Sequence, residues 1–190
     1  EKRLEVSEDD VFLEEPKLMK LGAVDQPPEI KVAGLISPDK LRRLGWSWDS
    51  GTIETDTYLT PKNVPPLMND ECFHLRKTPG GTFLVFKWGR NGLTGKTRIA
   101  IPLVNEKDVI KATRGLVEIV TLNKKRTIFR RNGFALSIDL IAELGDFIEI
   151  KAPDKKADLV AVVKELGFDS EEIVTDTYLR LFLKRERKEL

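Results

Sequence analysis

From Cys72 to Lys151 the chain alternates between apolar and charged side chains, almost residue by residue. In 72–77, His74 and Arg76 share one parity and Phe73 and Leu75 the other; in 83–88 the charged position is Lys87. In 95–102, Lys96 and Arg98 oppose Thr97, Ile99 and Ile101, and in 120–126 Lys124 and Arg126 fall on one side. Segment 147–151 repeats the scheme, with Glu149 and Lys151 against Ile148 and Ile150. Successive side chains of a strand point to opposite faces, so these segments predict a sheet with one apolar and one ionic face.

The rest of the pattern adds elements around that sheet. A strand is predicted over 29–36, with Ile30 and Val32 opposite Glu29, Lys31 and Ala33, and another over 53–59, containing Asp56 and Tyr58. Asn91-Gly92 and Asn132-Gly133 each sit between strand-like runs and signal hairpins. The glycines of 89–95 resemble a phosphate loop, but the Lys-Ser/Thr pair and strand-to-helix setting are missing, so a hairpin is the better reading. Short helices are predicted after Ser37-Pro38, ending by Gly45, and from cap Asn105 to stop Gly115. Two more are predicted over 154–166, stopped by Gly167, and from Ser170 to the end. The prolines of 60–70 mark a loop, and Trp46 or Trp48 is expected in the core.

Composition narrows the chemistry. With 190 residues, 41% of them hydrophobic, the chain can bury a real core, while a net charge of +1 implies no particular partner. Charge is unevenly placed: 1–28 carries eight acidic and four basic residues and reads as an acidic arm, leaving 29–190 as the folded domain. No apolar run can cross a bilayer and no signal-peptide pattern is present, so a cytoplasmic protein without a membrane partner is expected. One cysteine excludes an internal disulfide and a thiolate zinc site; with His74 the only histidine, nucleophile-histidine catalysis is disfavoured.

The ionic face has two readings. A polar face in water is one. The charges, however, are mostly Lys and Arg, repeated strand after strand, which suits a shared anionic ligand. A large twisted sheet removes its edges by curling, and cations turned inward by that curl must be neutralised by carboxylates or by an anion.

The order Glu29, Asp56-Thr-Tyr58-Leu, Leu75-Arg76, Phe86-Lys87, Lys96-Thr-Arg98, Lys124-Lys-Arg126, Ile138-Asp139 and Leu144-Gly145-Asp-Phe147-Ile-Glu149-Ile resembles the CYTH superfamily of triphosphate tunnel proteins. That family includes class IV adenylate cyclases, thiamine triphosphatases and inorganic triphosphatases. The resemblance spans about 29–183 and implies an α+β fold, an eight-stranded antiparallel β-barrel with flanking helices. It also implies a basic wall for a triphosphate or polyphosphate ligand, made by Arg76, Lys87, Arg98, Lys124 and Arg126, with Lys31, Lys96 and Lys151 as additional contacts. Opposite that wall, Glu29, Glu149 and Asp139 would hold Mg2+ or Mn2+ if the protein is active. An RNA 5′ end is a less favoured ligand, and exchange of the arm between protomers would allow a homodimer.

Departures from the family pattern thin the metal wall and keep the basic one. The first-strand Glu-x-Glu-x-Lys becomes Glu29-Ile-Lys31-Val-Ala33, Arg-x-Glu-x-Glu becomes Arg98-Ile-Ala100-Ile-Pro102, and the late Glu-x-Glu becomes Glu149-Ile-Lys151. The expected lining holds eight cations against Glu29, Asp139 and Glu149, a field that favours an anion over a second metal. Three readings stay open: a metal-dependent phosphohydrolase or cyclase, a catalytically degenerate domain binding a phosphate-rich ligand, and an interaction module whose tunnel the acidic arm plugs. Within the site, Asp139 is read as a partner of Lys124 or Arg126 in preference to a metal ligand, while Asp56 is as readily a turn cap, and Tyr58 a core residue, as part of the site.

Overall fold

The computed structural model describes residues 24–63, 72–88 and 96–188, with the side chains of 24–26, 72, 88, 96, 97 and 188 left aside. The elements are β1 (Val24–Gln26), β2 (Glu29–Ala33), α1 (Pro38–Arg43), β3 (Ser47–Pro61), β4 (Cys72–Thr78), β5 (Gly81–Trp88) and β6 (Lys96–Leu103). After them come α2 (Glu106–Ala112), β7 (Leu116–Arg131), β8 (Phe134–Ile141), β9 (Gly145–Lys151), α3 (Leu159–Glu165), β10 (Ile173–Val174) and α4 (Tyr178–Lys188). The helix starts follow their caps: Ser37, Asn105 and Asp158 each accept a backbone N–H from the first turn.

All strands join one antiparallel sheet in the order β1-β6-β5-β4-β3-β7-β8-β9-β2-β10. The expected eight-stranded barrel is corrected here: ten strands take part, and among the described residues no ladder joins β1 to β10. The sheet nevertheless curls, because side chains from β5 and β6 near one end of the order line the same cavity as those from β2 and β9 near the other. The β7–β8 hairpin turns at Asn132 and Gly133, both at positive φ (48° and 80°), as a tight two-residue turn requires. Asn91-Gly92, between the paired β5 and β6, lies outside the described residues, as do residues 1–23 of the predicted arm.

The two faces behave differently. The outer face of β2, β7, β8 and β9 supplies Ile30, Val32, Phe129, Leu136, Ile138, Ile148 and Ile150, over which Leu41 of α1, Trp46 and Leu159, Val162, Val163 and Leu166 of α3 close. Each such side chain contributes roughly 1.5–3 kcal/mol by leaving water, so this layer fixes the shape of the sheet. Between Trp46 and Trp48, Trp46 is buried and Trp48 exposed.

On the inner face the parity that carries the charges continues into apolar residues. Tyr58, Leu122, Ile141 and Phe147 share a face with Asp56, Lys124, Asp139 and Glu149, and against them α4 seats Tyr178 and Leu179. The curled sheet is therefore greasy where α4 packs and ionic beyond it. The single helix predicted from Ser170 is broken into a 3-10 turn (Ser170–Glu172), β10 and α4. Ile173 and Val174 are drawn into extended pairing with Val32 and Lys31, because β2 would otherwise present an open edge.

Candidate functional site

Seven cationic side chains from six strands surround a cavity of about 70 Å³: Lys31, Arg76, Lys87, Arg98, Lys124, Arg126 and Lys151. Glu29, Glu149, Tyr58, His74, Thr177 and Tyr178 complete the lining. Register explains the convergence, since Asp56 pairs with Arg76 on one side of β3 and with Leu122 on the other, while Lys87 pairs with Arg98 and Glu29 with Lys151.

Behind the lining, carboxylates of β3 hold part of the basic wall. Arg76 donates through Nε and Nη2 to Asp56 Oδ1 and Oδ2 (2.6 and 2.7 Å) and approaches Glu54 at 3.4 Å. The Lys124 ammonium lies 2.7 Å from Glu54 and 3.7 Å from Asp56. Burial by itself would raise both carboxyls; Arg76 and Lys124 overcome it and hold Asp56 and Glu54 below the ordinary range, so both stay ionised. His74, almost wholly buried, is kept neutral chiefly by desolvation, against the pull of Asp56 3.9 Å away.

A second network runs through β7, β8 and α4. Arg126 donates to both oxygens of Asp139 (2.7 and 2.5 Å) and to Glu149 (3.1 Å), and the Tyr178 hydroxyl donates to Asp139 at 2.7 Å. Burial, with Glu149 and Asp139 nearby, raises the Tyr178 phenol well above its ordinary value, so it remains a donor. Its ring lies under the ammonium groups of Lys31 and Lys124, 5.3 and 5.7 Å from the centroid. Through Tyr178, α4 closes the greasy end and braces two cations of the wall.

Three lining cations make no ion pair among the described residues: Lys31, Lys87 and Arg98. Arg98 Nε is buried without a hydrogen-bond acceptor. Desolvation lowers the Lys87 ammonium to about 8; Glu29 opposes this, while Arg76 and Lys151 add to it. Arg98 is lowered in the same sense by burial and by Arg76. Positive charge is thus held in the cavity at an energetic cost that an anion would relieve.

No protein-family model matches the chain. It is 24% identical over 155 residues to a Methanocaldococcus jannaschii protein named as a candidate adenylate cyclase, covering 75% of this chain and 89% of that one. Among solved structures, the PH1012 protein of Pyrococcus horikoshii OT3 superposes with a TM-score of 0.68 at 18% identity, over 82% of this chain and 98% of its own. HpAC1 of Hippeastrum, a candidate adenylyl cyclase described with a dominant triphosphatase activity, gives a TM-score of 0.57 at 13% identity over 85% and 96%. The chain has the CYTH fold.

Within this CYTH fold, all five residues assigned to the basic wall line the one cavity, as do the additional Lys31 and Lys151; the side chain of Lys96 lies outside the described residues. Glu54 and Asp56 were not assigned to the wall from the sequence, yet they balance it. Their signal was present in Glu54-Thr-Asp56-Thr-Tyr58, alternate positions of one strand, but which strands flank β3 is not written in that segment. With these two carboxylates the surplus of positive charge is smaller than the sequence count implied.

The carboxylates expected to hold a metal have cationic neighbours. Asp139 is fully buried and both its oxygens are engaged by Arg126 and Tyr178. Glu149 accepts from Arg126, and the Lys151 ammonium stands between Glu149 and Glu29, 3.8 and 3.7 Å away. Among the described residues no group of three or more His, Cys, Asp and Glu is arranged to hold a metal ion. Glu29, Glu149 and Asp139 as placed do not fit a divalent cation.

Proposed function

We propose that the cavity binds the triphosphate, or other condensed phosphate, of a small-molecule ligand. The observation that carries this is the trio Lys31, Lys87 and Arg98, brought from three strands to one cavity with no salt bridge among the described residues and, for Arg98 Nε, no hydrogen-bond acceptor. Phosphate oxygens supply what these groups lack: full negative charge and several acceptors, matched by the Arg fork and by the Lys point charges. The paired Arg76, Lys124 and Arg126 would then position the ligand through donors not used by Asp56, Glu54 and Asp139.

Calorimetric titration with tripolyphosphate in excess chelator tests the reading. A single site is expected, weakened about tenfold or more by Arg98→Ala, the usual scale for a charged hydrogen bond. Binding unchanged in Arg98→Ala, or no binding at all, would overturn it.

Turnover is the second reading, favoured by the cyclase and triphosphatase names carried by relatives of this fold. Release of phosphate, pyrophosphate or cyclic nucleotide from a panel of triphosphates with magnesium or manganese distinguishes an enzyme from a binding module.

A further inference from the structure

Granted that anion-binding reading, we infer that Lys151 is the resident cation of the cavity, so that the site takes condensed phosphate in its metal-free form. Glu29 and Glu149, on adjacent strands β2 and β9, turn carboxylates into the same wall, and a divalent ion would need both. The Lys151 ammonium lies at nearly equal distances from the two, 3.7 and 3.8 Å. Register makes this arrangement a property of the strands: Glu29 pairs with Lys151, and Glu149 with Lys31, so each carboxylate faces a lysine across the ladder. Arg126 also reaches Glu149, at 3.1 Å. A metal ion entering here would meet Lys151 and Arg126 around the carboxylates it needs, and like charges at such range repel strongly.

An ammonium offers one charge and three N–H donors. With 31% of its side chain exposed, Lys151 can turn those donors to a phosphate oxygen while Glu29 and Glu149 hold it in place. The ligand that fits is the free polyanion. Its magnesium chelate would bring a second cation into a slot already filled.

Two titrations of the full chain decide this. Manganese alone, followed by the paramagnetic resonance of the free ion, is expected to remain unbound with the wild-type protein and to bind one ion per chain in Lys151→Met, with Lys151→Gln as the substitute where that variant does not fold. Stoichiometric manganese binding by the wild type, or none by a folded Lys151 variant, overturns the inference. Tripolyphosphate affinity of the wild type is expected to fall about tenfold or more when magnesium exceeds the ligand, because chelation removes the form that binds; tightening by magnesium overturns the inference. Absence of phosphate binding in chelator and in magnesium alike would refute the anion-binding reading, whereas the manganese titrations would still decide whether Lys151 fills the cation slot.

Discussion

Lys87 is the side chain on which the pH behaviour of the cavity turns. Its folded value, about 8, lies below the 10.5 of an unburied lysine, so the charged form is disfavoured by folding. The sign follows by linkage: the cost to stability is fully present below pH 8 and is relieved as pH rises toward 10.5. An anion acts in the opposite direction, favouring the ammonium among the groups that face it, Glu29, Arg76, Lys151 and Glu149. Tripolyphosphate affinity in chelator should therefore fall between pH 7 and 9, whereas Lys87→Arg, charged throughout, should lose much less over the same interval. Parallel profiles for the two proteins, measured by calorimetry, would show that Lys87 does not face the ligand. At this scale the sequence was legible in its cations, since alternation alone put Arg76, Lys87, Arg98, Lys124 and Arg126 on one face. It was less legible in its carboxylates, because Glu54 and Asp56 become part of the wall only through the pairing of β3 with β4 and β7.

Among the elements, α4 shows how one helix both seats itself and shapes an end of the cavity. Its hydrophobic side, Tyr178 and Leu179 with partly buried Leu181, Phe182 and Leu183, covers the inward apolar residues of β3, β7, β8 and β9, and the Tyr178 hydroxyl then reaches Asp139. Apolar packing and a buried hydrogen bond thus fix the same helix, and through Asp139 they fix Arg126. Leu179→Ala should cost about 2–5 kcal/mol in chemical denaturation, the range for truncating a buried leucine. A loss below about 0.5 kcal/mol, typical of a surface change, would mean that α4 is not seated as described. The sequence showed the helix but not its true start. Ser170-Glu-Glu172 carries the composition of a first helical turn, and nothing local reveals that Ile173 and Val174 are claimed by the edge of β2.

Across the whole molecule, one long-range fact converts a striped sheet into a charge-lined cavity: strands far apart in the ladder bring their charged faces to a common interior. Parity indicated which residues would face inward; how far the sheet curls could not be read from the same pattern, because it depends on the accumulated twist of ten strands and on helices packed outside them. The same geometry fixes where the acidic N-terminal segment joins. β1 lies against β6 with Val24 opposite Arg98, so the chain leaves the described residues beside a cation of the cavity wall. Residues 1–23 carry seven acidic and four basic side chains. On the proposed reading, negative charge tethered there would compete with a phosphate ligand for the same field, over a reach of about 10 Å at 0.1 M salt. Removing 1–23 while keeping β1 should raise tripolyphosphate affinity at low ionic strength, with the advantage shrinking as salt is added. Titrations of the full and shortened chains at two salt concentrations measure both effects. Equal affinities at low salt would mean that the arm's charge does not reach the cavity, and an advantage that persists undiminished at high salt would mean that the arm acts by contact and not through its field.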